Sequence, residues 1–411
     1  MRPSDAKSVD RADVYKGEQL AGYLSRTGGG VSFQYTQDYI ASMNDAVAST
    51  LPVRAAPYVT GAGAVPAFFA GLLPEGARLL AVVAAVKTSP DDELSLLVAV
   101  GKDAIGDVYV VPHGSEPIAN SRTLPATPGK ISFSELFEQS IDPSGTELDY
   151  ALPGVQSKLS DAMMSFPLTG ASGPAILKLS PTAYPHLVEN EAFCLGLAKR
   201  AGLTVPRFEV IKDREGASGL LVERFDRRVT LGEGANVSVQ RIAQEDACQL
   251  LNRWPADKYR VSINDIAKRL VEVTSSREAS IMDLVEQVAF SWIIGNGDMH
   301  AKNYSVQWLK EERLVVPTPV YDVVSTIPYP LDQHMALKLD GRNANLRSRF
   351  LVEFAARFGV PKSMSKRRIN ELSDRVAQHI GDASEIGFDE RITGRMVTEM
   401  NRRLGILRRF D

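Results

Sequence analysis

At 411 residues with 44% apolar and 24% charged content, the chain has the composition of a folded protein with two or three hydrophobic cores, which excludes a disordered one. Lys plus Arg number 47 against 50 Asp plus Glu, and the net charge of -3 predicts no broad attraction to nucleic acid or anionic membrane. Only two cysteines, Cys194 and Cys248, five scattered histidines, no apolar core in the first residues and no long apolar run together argue against disulfides, a zinc site and a membrane span, and point to a cytoplasmic protein.

From Asp13 to about Pro112 the pattern is that of a small α+β unit. Val14-Tyr15 precede Gly17, a turn falls at Gly28-Gly29-Gly30, and Val31 to Tyr35 alternate as a strand. Phe68, Phe69, Leu72 and Leu73 have helical spacing, ended by the turn residues Pro74-Glu75-Gly76. Leu94 to Val100 and Val108 to Val111 are apolar enough to pack against this unit. No chemistry is evident in it. The Pro/Ser/Thr-rich stretch from about His113 to Gly129 reads as a linker.

Ser132 to Gln139 reads as a short helix, and ALPGVQSKLSDAMM follows from Ala151. Pro153, Gly154, Val155, Gln156, Ser157 and Lys158 form a polar loop whose amides and lysine suit phosphate, although a plain β-turn fits as well. Leu159 to Phe166 continues as a strand. Ala175 to Leu179 is a buried-strand pattern interrupted by Lys178, a charge that must either reach solvent or meet an anion. The next helix, Glu189 to Ala201, carries Glu191 near its start and ends at Gly202. Arg207 to Lys212 and Gly219 to Val222 form a hairpin, and the second strand runs into Glu223-Arg224-Phe225-Asp226-Arg227. That connector suits either a hinge, with backbone of Glu223 and Phe225 facing an adenine edge and Asp226 a ribose, or a surface ion-pair cluster.

Ile281, Leu284, Val285, Val288, Ala289 and Trp292 lie on an amphipathic helix that stops at Gly295-Asn296-Gly297. The polar loop after it holds Asp298, His300, Lys302 and Asn303, and Asp322 follows a short extended segment. Protein kinases use the same interval: an Asp takes the substrate hydroxyl's proton, an Asn five positions on holds Mg²⁺, and a later Asp chelates the metal bridging the phosphates. The bland alternative is a loop whose Asp and Asn bond their own backbone.

Taken in order, GVQSK, ILKL, NEAFCLGLAKRAGL, LLVERFDR, QEDACQLL, GNGDMHAKNYS and YDVVST resemble the HipA family of bacterial serine/threonine kinases, the toxin half of HipA–HipB toxin–antitoxin pairs. Gly22 to Arg26 and the FFAGLLPEG segment resemble that family's N-terminal domain, so the likeness spans nearly the whole chain. It implies an α+β, bilobal protein-kinase-like fold: an additional N-terminal domain at 1–112, a linker at 113–130, an N-lobe at 131–226 and a helical C-lobe at 227–411. It implies Asp298 as catalytic base, Asn303 and Asp322 as Mg²⁺ ligands, and ATP contacts from 153–158, Lys178, Glu223, Arg224, Phe225, His300, Lys302 and Tyr321. Gln244-Glu245-Asp246 matches a family motif with a structural role. The family often has a regulatory phosphoserine where this chain has Ala151. Implied partners are a protein substrate such as an aminoacyl-tRNA synthetase and a HipB-like helix-turn-helix antitoxin, through which DNA is mainly contacted. Other readings are a small-molecule kinase of this fold and a non-catalytic, partner-sequestering pseudokinase.

Overall fold

The computed structural model describes residues 3–42, 44–61, 63–117, 128–136, 163–170, 173–181, 183–231 and 237–409. The phosphate-loop residues Pro153 to Lys158, the regulatory position Ala151, most of the 113–130 stretch and Gln139 lie outside them.

The N-terminal part is a five-stranded antiparallel sheet of β1 (Arg11–Lys16), β2 (Gln19–Thr27), β3 (Gly30–Tyr35), β4 (Tyr58–Gly61) and β5 (Val108–Pro112), ordered β4-β3-β2-β1-β5. Around it lie α1 (Gln37–Ala41), α2 (Ala67–Ala70), α3 (Gly76–Val86) and α4 (Glu93–Val100). The alternation of Val31, Phe33 and Tyr35 sends one face of β3 into a core shared with Phe69, Leu94 and Leu97. The helix expected through Leu73 stops after one turn, because Leu72 and Leu73 turn off toward Pro74, which cannot extend it as a donor. The apolar run from Leu94 is helical, capped by the Asp92 side chain on the Ser95 amide.

A second antiparallel sheet follows, with β6 (Met164–Gly170), β7 (Gly173–Leu179), β8 (Phe208–Lys212) and β9 (Ser218–Glu223) in the order β6-β7-β9-β8. Its two faces separate by the two-residue period of a strand. Ala175 and Leu177 of β7, with Phe166 and Leu168 of β6, pack on Ala81 and Ala85 of α3. Ile176 and Lys178 face the other way. There, Leu220 and Val222 pack on Leu195 of α5 (Leu187–Ala201), the helix that Gly202 closes in a left-handed conformation.

The remainder is mostly helical. A ladder of β10 (Arg227–Leu231) and β11 (Val237–Arg241) leads into β12 (Ala243–Asp246) and α6 (Ala247–Leu250), followed by α7 (Ile263–Val273) and α8 (Arg277–Ile294). β13 (Ser305–Leu309) and β14 (Leu314–Pro317) complete the sheet β12-β13-β14, and α9 (Ser348–Arg357), α10 (Lys362–Ala377) and α11 (Glu390–Arg408) close the chain. Helix α8 is buried on nearly every side, as expected for a central helix whose apolar residues exceed one stripe. It stops at Gly295, whose φ of +67° suits glycine, and where a Cβ would meet the Ile327 side chain at 2.6 Å. The polar loop that follows is therefore delivered from a rigid base at a fixed point. No helix among the described residues is long and apolar enough to cross a membrane.

Candidate active site

A cavity of about 310 Å³ opens between the second sheet and the helical part. Ser165, Ile176, Lys178 and Val222 form its roof, while Gln244, Asp246, His300, Asn303 and Asp322 form its floor. The N-terminal part supplies a wall from Gly71 to Glu75, with Arg78 and Asp103 to Ile105. Sequence reading finds no chemistry in that part; the structure brings it into the cleft.

Lys178 stands between two carboxylates, its Nζ 2.6 Å from Glu191 Oε1 and 3.0 Å from Asp322 Oδ1. The strand pattern that made this lysine costly is thus resolved by acids from α5 and from the loop after β14. One ammonium cannot hold both acids equally. Despite burial, Lys178 keeps Asp322 below its ordinary value, whereas burial, reinforced by Asp322, pushes Glu191 up to about 7 in spite of Lys178. The other Asp322 oxygen accepts from Asn303 Nδ2 at 2.8 Å. Asp322 itself has a left-handed φ of +55°, a conformation that costs a non-glycine residue about 1 kcal/mol or more and persists when its partners over-determine it. Asn190, one residue before Glu191, clasps the following segment in both directions, donating to the Ser325 carbonyl at 2.9 Å and accepting from the Ser325 amide at 3.1 Å. The sequence gives no sign of that clasp.

The loop after α8 is ordered by its own side chains. Asn296 Oδ1 accepts from the Asp298 amide at 3.0 Å, and Asn303 Oδ1 accepts from the His300 amide at 2.8 Å. Backbone bonding, the bland reading, is thus real for Asn296 and Asn303, but it coexists with the convergence of Asn303 on Asp322. Asp298 is buried and accepts a hydrogen bond from the Tyr259 hydroxyl at 2.6 Å. Nothing in the sequence marks Tyr259, since a tyrosine 39 positions away carries no local signal. His300 is buried, and burial together with nearby Lys258 pushes it down to about 3, so it is neutral near pH 7.

Lys302 turns toward the N-terminal wall. Its Nζ donates to the Gly71 carbonyl at 3.1 Å and lies 3.3 Å from Glu75 Oε1 and 3.7 Å from Asp246. Glu75 also accepts from Lys258 at 2.8 Å, and these two lysines overcome its burial to hold it at about 2. Tyr321 braces the same loop: its hydroxyl donates to the Lys302 carbonyl at 2.5 Å and lies 2.5 Å from Ser305 Oγ. In the Gln244-Glu245-Asp246 stretch, Asp246 caps α6 in a reciprocal pair with Gln249, and Glu245 accepts from the Ser49 amide and hydroxyl at 2.7 and 2.8 Å.

The connector after β9 separates into two halves. The Glu223 amide donates to the Arg207 carbonyl at 2.8 Å, the Phe225 carbonyl accepts from Gln307 at 2.9 Å, and the Phe225 ring lies 5.5 Å from that of Tyr321. Asp226, expected to reach a ribose, is instead buried between Arg224 and Arg227 at 2.8 and 2.6 Å, and also accepts from the Gly106 amide at 2.9 Å. The Arg224 guanidinium is engaged with Asp226, Asp103 and the Ala104 carbonyl, and its amide donates to the Pro174 carbonyl at 3.0 Å, so the residue holds the connector in place. The cluster is an ion-pair cluster, but a buried one that seals the N-terminal part onto the rest. Arg224, Asp226 and Arg227 lie out of water and would each be costly alone, and the partly exposed Asp103 supplies the fourth, balancing charge.

A magnesium ion suits the donor set. Mg²⁺ binds through one or two carboxylate or carbonyl oxygens and leaves its other positions to water and phosphate; Asp322 lies on the cavity floor beside Asn303, whose Nδ2 faces it at 2.8 Å, and Asn303 Oδ1 keeps a lone pair beyond the one taken by the His300 amide. No group of three His, Cys, Asp or Glu side chains among the described residues forms a protein-only metal site.

Comparison with known proteins follows the same outline. A family model described as the HipA-like C-terminal domain matches residues 150–381, and one described as the HipA N-terminal domain matches residues 12–111. The Sinorhizobium fredii protein Y4mE is 31% identical over 88% of this chain and 89% of its own length. The serine/threonine-protein kinase toxin HipA of Shewanella oneidensis is 26% identical over 92% of this chain and 90% of the relative. Among solved structures, the Shewanella oneidensis complex of HipA, HipB and operator DNA contains a chain that matches with a TM-score of 0.74 at 23% identity, covering 96% of this chain and 97% of that one.

Proposed function

The chain belongs to the HipA family of kinases, and from that premise we propose that it is a Mg-ATP-dependent serine/threonine protein kinase acting as the toxin of a HipA–HipB-type pair. The observation that carries this reading is the convergence of Lys178, Glu191, Asn303 and Asp322 in one cavity, with Asp298 on the same loop as Asn303. A polyphosphate ligand needs a cation on the roof and metal-binding oxygens on the floor, and this arrangement has both.

In the proposed reaction, Asn303 and Asp322 hold Mg²⁺, which neutralises phosphate charge when bound. Lys178 offers its ammonium to phosphate oxygens while Glu191 fixes its position. Asp298 accepts the proton of a serine or threonine hydroxyl as that oxygen attacks the γ-phosphorus, and the γ-phosphate's bond to the β-phosphate oxygen breaks. Tyr259 orients the Asp298 carboxylate by its hydrogen bond. Backbone of Glu223 to Phe225 serves the adenine side. Transfer thus depends mainly on positioning, which a loop braced by Tyr321, Asn296 and Lys302 provides.

The substrate is proposed to be a translation component such as an aminoacyl-tRNA synthetase, with growth arrest as the outcome. A HipB-like helix-turn-helix protein is the proposed partner and carries most of the DNA affinity, in keeping with the near-balanced charge of this chain. Such a protein acts in the cytoplasm. The test is a reaction with labelled ATP and host lysate followed by phosphosite mapping. A labelled protein band carrying phosphoserine or phosphothreonine is expected. Label found only in small molecules would replace the protein substrate by a metabolite, and Mg-ATP binding without any transfer would make the chain a pseudokinase.

A further inference from the structure

The first turn of a helix is an unfavourable place for a cation, because the unsatisfied amides there already carry partial positive charge. Helix α3 nonetheless has Arg78 as its third residue, and this side chain lines the cavity. Its guanidinium is poorly satisfied. Nη1 donates to the Ser165 carbonyl at 3.4 Å, a long contact, and Nε is buried with no hydrogen-bond partner among the described residues. Burial pushes the group down to about 10, against the field of Asp103 and with that of Arg224.

The other cations of the cavity are matched. Lys178 has Glu191 and Asp322, Arg224 has Asp103 and Asp226, and Lys302 has Glu75. Among the described residues Arg78 has no carboxylate within ion-pair distance. A half-buried guanidinium with a buried, unmet Nε destabilises the protein that holds it, and an anion with several acceptor oxygens relieves that cost. Its position identifies which anion. Ser165, which Arg78 touches, is the cross-strand partner of Lys178, so the two cations flank the same stretch of β6 and β7.

We propose that Arg78 is a nucleotide contact contributed by the N-terminal part, its guanidinium taking a phosphate oxygen of the ATP bound beside Lys178. This rests on the reading of the cavity as a nucleotide site. It follows that the N-terminal part completes the site rather than merely covering it. A violation of a local helix rule is then explained by the ligand rather than by packing.

The test uses the full chain with Arg78→Met, which keeps length and removes charge, and Arg78→Lys, which restores charge without the fork. Affinities for Mg-ATP and for adenosine are measured by competition against a fluorescent nucleotide, with melting of the ligand-free proteins alongside. Arg78→Met is expected to weaken Mg-ATP by about tenfold or more, the loss of a charge-assisted contact, with adenosine binding unchanged. Arg78→Lys should recover part of the loss, and the ligand-free Met variant should melt no lower than the wild type. Equal weakening of ATP and adenosine, or a lowered melting temperature in Met with no recovery in Lys, assigns Arg78 to structure and overturns the proposal. Wild-type protein that binds Mg-ATP, with Arg78→Met binding it equally well, removes Arg78 while leaving the nucleotide site in place. Wild-type protein that binds no Mg-ATP removes both.

Discussion

Replacing Lys178 by Met probes the charge arrangement on which the site depends. The substitution removes the ammonium 2.6 Å from Glu191 and 3.0 Å from Asp322, side chains that are 2% and 32% exposed. Breaking a buried pair on one side costs about 3–5 kcal/mol, a large part of the roughly 5–15 kcal/mol that holds a domain folded. Glu191, already at about 7 against an ordinary 4.5, rises further once Lys178 is gone. An acid with a raised folded value binds its proton more tightly when folded, so its contribution is present at low pH and is lost as pH rises through the folded value. In the wild type that loss levels off above about 7; in the variant it continues. Urea unfolding at pH 7 and 8.5 should therefore show Lys178→Met losing about 2 kcal/mol more than the wild type over that interval, at about 1.4 kcal/mol per unit. Adding Glu191→Gln should abolish the extra slope. A variant within about 1 kcal/mol of the wild type, with a parallel pH dependence, would refute the idea that Lys178 neutralises this pair.

Asp226→Asn leaves the buried Arg224 and Arg227 with only the partly exposed Asp103 as a carboxylate partner, and a loss of about 3 kcal/mol is expected from the shift of its urea midpoint. His300, held at about 3 against an ordinary 6.5, stays neutral when folded but takes up a proton when unfolded. Stability should accordingly fall by about 1.4 kcal/mol per unit as pH drops from about 6.5 toward 3, a component that His300→Gln should remove from the acid limb. Glu75→Gln weakens the hold on Lys302 and Lys258, and should lower kcat by about tenfold while changing the KM for ATP little, as loss of loop positioning does. A rise in KM at constant kcat would move Glu75 from positioning the loop to binding the nucleotide.

What the sequence discloses depends on how far apart the cooperating residues lie. The Asp298 to Asn303 interval is local, and α8 with its Gly295 stop is a periodic pattern, so both are legible without a structure. Lys178 announces itself as a charge on an apolar strand, and the search for its anion leads to Glu191 on the next helix. Asn190 and Tyr259 act across long separations and have ordinary local contexts, so no pattern marks them. Glu75 is hidden differently: in Leu73-Pro74-Glu75-Gly76 the acid reads as a turn residue, and only packing reveals that the turn meets Lys258 and Lys302. Asp226 shows the opposite error. Its place after a strand suits a ribose contact, but two flanking arginines close on it because the N-terminal part, through Asp103, Ala104 and Gly106, shuts water out.

The most direct measurement is single-turnover phosphoryl transfer from labelled ATP by wild type and Asp298→Asn, with Mg-ATP affinity and unfolding midpoint determined on the same samples. Asp298→Asn keeps the Tyr259 contact nearly isosteric but removes the proton acceptor. Transfer is predicted to fall by about 10²-fold or more while nucleotide affinity and folding stay close to wild type. Undiminished transfer by a folded, ATP-binding Asp298→Asn protein would contradict the assignment of this loop as the catalytic one.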